Sequence, residues 1–139
     1  MGGQSVIAIW KRAALYSQFG TVKNRNLPAI VVAATTSALI WALSPLITGH
    51  REPWDAAGPF YWLALLIGGA ISGAVIPKPL RAHYLGSLMG QLAYEVVFLR
   101  VGGLFLLGAV LLLGYCLIFL VGAGVAGFFH PRLRGPQSG

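Results

Sequence analysis

Charge is scarce in this sequence, and acidic charge is scarcest. Charged residues make up 9% of 139, with three Asp or Glu against ten Lys or Arg. Ordinary soluble domains carry roughly 25% charged residues. With 57% hydrophobic residues and a mean hydropathy of +0.76, there is too little polar surface to cover a water-soluble fold. Cysteine is almost absent. Cys116 stands alone in an apolar run, which excludes an intrachain disulfide and reads as a small buried hydrophobe. Catalytic signatures are also missing. There is no Gly-x-Ser-x-Gly, Cys-x-x-Cys, Walker or His-Glu-x-x-His pattern, so the chain does not read as an enzyme.

What is present is long apolar runs with positive charge sorted between them. Four runs are expected to be helices, at about 27–48, 60–76, 80–99 and 104–129. Lys11, Arg12, Lys23 and Arg25 precede the first, Lys78 and Arg81 lie between the second and third, and Arg132 and Arg134 follow the fourth. Only Arg51 and Arg100 fall in the other connections. Cationic loops stay on the cytoplasmic side, so this split predicts four spans with both termini inside. The expected fold is all-α and integral to a membrane, with the spans arranged as two antiparallel hairpins. The net charge of +7 suggests nucleic acid at first sight. The cations flank apolar runs and do not gather on one polar face, so anionic lipid headgroups are their natural partners and nucleic acid is not.

Residues 1–26 are expected to form a cytoplasmic segment whose Val6, Ile9, Trp10, Ala13 and Ala14 share one stripe of an amphipathic interfacial helix. Pro28 suits the first turn of span one, Pro45 should bend or end it, and Trp41 should mark the membrane interface. Between spans one and two lies a turn-rich outer loop holding His50, Arg51, Glu52, Trp54 and Asp55. His50, Glu52 and Asp55 have metal-binding chemistry, but their spacing matches no metal site, and none is expected. Asp55 is expected to cap a turn. His83 reads as an inner-interface residue, and His130-Pro131 as the stop of span four, ahead of a cytoplasmic tail at 130–139.

Two features stand out within the runs. Gly69 and Gly73 in span two, and Gly86 and Gly90 in span three, form Gly-x-x-x-Gly pairs. Such pairs let a second backbone approach closely. Because only Pro77-Lys78-Pro79 separates the two spans, the glycines are expected to face each other across that hairpin. The other feature is the polar face Ser87, Gln91, Glu95, spaced i, i+4, i+8 on span three. An ionisable residue at membrane depth marks a candidate site. It reads either as an interhelical hydrogen-bonding ladder, with Glu95 snorkelling or paired to Arg100 or Arg51, or as an ion or proton site or a polar anchor for a partner.

The run Glu52-Pro53-Trp54-Asp55, then Pro77 and Arg81, then Gly90-Gln91, resembles a class of small four-span bacterial inner-membrane proteins with no assigned activity. The resemblance covers about residues 30–129 and implies only a four-helix inner-membrane fold. The expected role is noncatalytic: an accessory, assembly or scaffold subunit that packs against a larger membrane complex or its own copies. A small oligomeric channel or transporter using Gln91 and Glu95 is the alternative, and a holin-like membrane-perturbing protein the third. No cofactor is implied, and the sequence is silent on a bound lipid or pigment.

Overall fold

The computed structural model describes residues 26–77, 79–99, 102–103 and 105–133, with backbone alone over 130–133. The expected N-terminal amphipathic helix and the tail beyond residue 133 lie outside the described residues, as does Arg100. Four α-helices and one 3-10 turn follow in order: α1 (Asn26–Thr48), η1 (Pro53–Asp55), α2 (Phe60–Val75), α3 (Leu80–Phe98) and α4 (Phe105–Leu133). No strand occurs among the described residues.

Prolines and glycines set the helix ends. Gly49 closes α1 at φ +78°, donating its N–H to Pro45 O at 3.2 Å. That left-handed position costs a residue without Cβ nothing. Pro59 and Pro79 sit at the N-caps of α2 and α3, where a missing N–H is free of penalty. One expected stop is corrected: α4 runs through His130 and Pro131 to Leu133. Pro45 lies inside the end of α1, which finishes at Thr48 as expected. In each case the proline falls within the last turn or so, where the ring removes one N–H without removing the helical φ.

The main packing partners are not neighbours in sequence. α1 lies along α3, and α2 lies along α4. Both pairs are parallel. Ile30 and Ala34 meet Gly86 and Gly90, while Phe119 and Ala123 meet Gly69 and Gly73. The hairpin pairs α1–α2 and α3–α4 make smaller contacts, and α2 barely touches α3. The helices therefore run around the bundle as α1, α3, α4, α2. The second hairpin stands beside the first in the same orientation. Ser37–Ser87, Trp41–Gln91, Gly69–Phe119 and Gly73–Ala123 all pair at a separation of 50 residues.

This arrangement overturns the expected glycine-to-glycine contact between spans two and three. A Cβ on Gly69 would stand 2.0 Å from Phe119 O, and one on Gly73 2.2 Å from Ala123 O. A Cβ on Gly86 would stand 2.4 Å from Ile30 O, and one on Gly90 2.2 Å from Ala34 O. Gly122 repays the approach from the other side, with its Cβ position 2.2 Å from Leu66 O. All four predicted glycines are thus backbone contact points, but for partners further along the chain. A short turn fixes that two helices are antiparallel, not that their small-residue faces point at each other.

The interior holds Ala29, Ala33, Trp41, Tyr61, Leu65, Leu112, Cys116, Phe119 and Ala123. The outer faces are apolar on every helix, including Val31 and Leu43 on α1, Ile67 and Ile71 on α2, Met89 and Val97 on α3, and Val110 and Val121 on α4. α1 and the Phe105–Phe129 part of α4 are long and apolar enough to cross a membrane. α2 is equally apolar but shorter, at 16 residues.

Candidate functional site

The polar face of α3 turns into the bundle. Ser87 and Gln91 are fully buried, and Glu95 is 8% exposed. The i, i+4, i+8 spacing places all three on the side that meets α1 and α4. They nevertheless divide into two environments.

Ser87 and Gln91 belong to a closed hydrogen-bonded spine. Ser37 Oγ donates to Ser87 Oγ at 2.9 Å. Gln91 Nε2 donates to Ser87 Oγ at 3.0 Å and to Cys116 Sγ at 3.3 Å. Gln91 Oε1 accepts from Trp41 Nε1 at 3.3 Å and from the Tyr61 hydroxyl. One amide thereby ties α3 to all three other helices. The Ser37 hydroxyl, the Trp41 indole N–H, the Tyr61 hydroxyl and the Gln91 amide N–H each find an acceptor, as a low-dielectric interior demands. Trp41, expected at the membrane interface, is instead fully buried beside this amide. Its indole N–H has an internal acceptor and needs no headgroup.

A second polar contact lies near the Pro77–Pro79 turn. His83, expected at the inner interface, is fully buried. Its Nδ1 lies 2.9 Å from Ser72 Oγ and its Nε2 lies 2.7 Å from Ile76 O. Because a carbonyl only accepts, Nε2 carries the proton and Nδ1 accepts from Ser72 in the neutral ring. This is one of the few ties between α2 and α3.

Glu95 is different. Its Oε2 is buried with no hydrogen-bond partner among the described residues. It lines a cavity of about 400 Å³ at the end of the bundle that carries η1. Glu52, Trp54, Asp55, Gly108 and Leu111 also line that cavity. Trp54, half-buried, is one of its aromatic walls. Its Nε1 donates to Glu52 Oε2 at 2.7 Å. Its ring meets Trp41 edge-on, with centroids 4.8 Å apart, and stacks near Tyr115 at 6.4 Å. Gly108 forms part of the wall. A Cβ there would stand 3.2 Å from Glu95 Oε1 and 3.6 Å from Trp54 Cη2.

The remaining loop residues are dispersed. His50 is exposed and contributes backbone only, its N–H to Thr48 Oγ1 and its C=O to Ser44 Oγ. Arg51 is exposed. Asp55, expected to cap a turn, takes part in η1 through its backbone, whose N–H bonds Glu52 O at 3.1 Å. The pairing of Glu95 with Arg100 lies outside the described residues.

Sequence reasoning found Ser87, Gln91 and Glu95 but missed Trp41, Tyr61, Ser72, Cys116 and Gly108. One signal was legible in hindsight. Ala29, Ala33, Ser37 and Trp41 recur every four residues along α1, matching the register of Gly86, Ser87, Gly90 and Gln91 on α3. Gly108 had no such signal, since its importance depends on which side chains stand across from it. Comparison with known proteins returns no matching family, no matching curated protein and no matching solved structure.

Proposed function

We propose that this chain is a noncatalytic, four-span bacterial inner-membrane protein that serves as an accessory, assembly or scaffold subunit. The observation that carries this reading is the closed interior. Gln91 spends its amide on four internal partners. Leu65, Leu112 and Phe119 are fully buried apolar side chains of the same interior. Within one copy the Gln91 amide is committed to internal hydrogen bonds, which suits a rigid structural body better than a path for ions. The apolar outer faces of all four helices support a membrane setting for each. α3 spans despite its polar residues because these turn inward, leaving Leu85, Met89 and Val96 to lipid.

Purification of the full chain in mild detergent tests the role. Stoichiometric recovery with other membrane subunits is expected. A discrete homo-oligomer with no other protein would instead favour the channel or transporter reading. That second reading has one observation in its favour, the unpartnered Glu95 carboxylate open to a cavity. Gln91, its other nominated residue, is consumed by the bundle.

The topology is a separate prediction. With eight of ten Lys and Arg on one side, both termini are cytoplasmic and η1 is external. Ala57→Cys, at an exposed loop position, should react with a membrane-impermeant maleimide in intact cells. Pro136→Cys should react only after permeabilisation. Cys116, fully buried, should give no background. Labelling of position 136 in intact cells overturns the orientation.

A further inference from the structure

We propose that the cavity between η1, α3 and α4 is a binding site for a monovalent organic ammonium cation. Three carboxylates, Glu52, Asp55 and Glu95, line this one space. They are all the acidic residues the chain possesses. A sequence this poor in negative charge brings its whole supply to one place, from two segments, the η1 turn and α3. Glu95 gives the independent evidence. It is 8% exposed, and its buried Oε2 has no donor among the described residues. A carboxylate in that setting loses its hydration with no donor to its Oε2 among the described residues in exchange, and a bound cation restores the balance.

The cavity chemistry selects the kind of cation. Its volume of about 400 Å³ is in the range of small-molecule sites, roughly 300–1,000 Å³, and far exceeds a bare ion. No three acidic, His or Cys groups among the described residues converge in a metal-binding arrangement. The rest of the wall is apolar or aromatic, and includes Trp54, Leu111 and Phe105 at the start of α4. An aromatic ring beside carboxylates is the surrounding that alkylammonium groups favour, because their charge is spread over carbon-bound hydrogens. Trp54 is held for the purpose by its bond to Glu52, and Gly108 leaves open the space before Glu95 Oε1.

The site lies at one end of the apolar bundle, so the ammonium can come from a free solute or from the amine headgroup of a lipid in the adjoining leaflet. The chemistry recognised is the same. Binding to either source is independent of the accessory role proposed above, since that role is read from co-purifying subunits and this one from a titration.

The test uses the full chain in lipid nanodiscs made of phosphatidylglycerol, with phenyltrimethylammonium as the probe and calorimetry as the readout. Saturable binding is expected. The uncharged isostere tert-butylbenzene should not compete. Glu95→Gln should weaken binding at least tenfold. Gly108→Leu should do the same with every carboxylate retained, by filling the cavity. Both variants are checked for helicity and monodispersity, and Glu95→Gln removes charge without changing shape. In nanodiscs containing phosphatidylethanolamine, a headgroup occupant lowers the probe's apparent affinity several-fold, whereas a solute site leaves it unchanged; either result supports an ammonium site and identifies its source. Absence of probe binding, binding that survives both variants, or equal competition by tert-butylbenzene overturns the proposal. So does calcium or sodium binding that Glu95→Gln abolishes without any binding of the probe.

Discussion

Gly90→Leu is expected to prevent stable assembly of the bundle. A Cβ at this position would stand 2.2 Å from Ala34 O and 2.8 Å from Ala34 Cα. Those are backbone atoms of α1, so no rotamer change relieves the overlap. In the membrane setting proposed above there is little hydrophobic driving force between helices, and association rests on close packing and interhelical hydrogen bonds. Separating α1 from α3 removes both together, because the Ser37–Ser87 and Trp41–Gln91 bonds cross the same seam. Even Gly90→Ala should cost about 1–3 kcal/mol from overpacking, partly offset by about 1 kcal/mol of better helix propensity. The leucine exceeds this enough to drive the chain into aggregates. Size-exclusion profiles and unfolding midpoints in mild detergent measure the effect. Gly73→Leu should behave alike, since its Cβ would meet Ala123 O at 2.2 Å. Gly114→Leu is the matched control, with no atom within 4 Å of its Cβ position. A Gly90→Leu protein with the wild-type profile and midpoint would rule out the α1–α3 seam.

Gln91→Leu is the second large loss. Leucine fills much of the same volume but accepts no hydrogen bond. The Trp41 indole N–H and the Tyr61 hydroxyl would be left without their acceptor in a fully buried setting. An orphaned buried donor costs about 1–3 kcal/mol, although hydrogen bonds within membrane proteins average only about 0.6 kcal/mol. With two donors orphaned and two donated bonds lost, a destabilisation of about 2–4 kcal/mol is expected. Reversible unfolding in a mixed detergent measures it. Trp41→Phe should partly rescue Gln91→Leu, because it removes one of the stranded donors. The double variant should therefore lose less than the sum of the singles, which a simple cavity effect would not produce. Strict additivity, or a Gln91→Leu loss under about 0.5 kcal/mol, would mean the spine contributes packing and not hydrogen bonding.

The two variants probe the part of the fold that was hardest to read from sequence. Helix positions were legible, because apolar runs bounded by Pro28, Gly49, Pro59 and Pro77–Pro79 have one local solution. Observed helix ends fall within a residue or so of the expected ones, except at the end of α4. Pro131 misled there, since a proline near a helix end does not force a stop. The shared face of Ser87, Gln91 and Glu95 was also legible, since helical spacing puts them on one side of α3, and that side is buried.

Partner choice was not legible. The sequence itself determined how many helices form, that their outer faces are apolar, which small residues permit close approach, and that the acidic residues are few. Those properties follow from local spacing and composition, which act over a few residues. Only the tertiary structure decided that α1 joins α3 and α2 joins α4, that Trp41 turns inward to Gln91, and that Glu52, Asp55 and Glu95 share a cavity with Trp54 and Gly108. A Gly-x-x-x-Gly face accepts any backbone of matching shape. Which one it receives is settled by the simultaneous fit of all four helices, where shape and hydrogen bonding between residues 50 positions apart outweigh proximity along the chain.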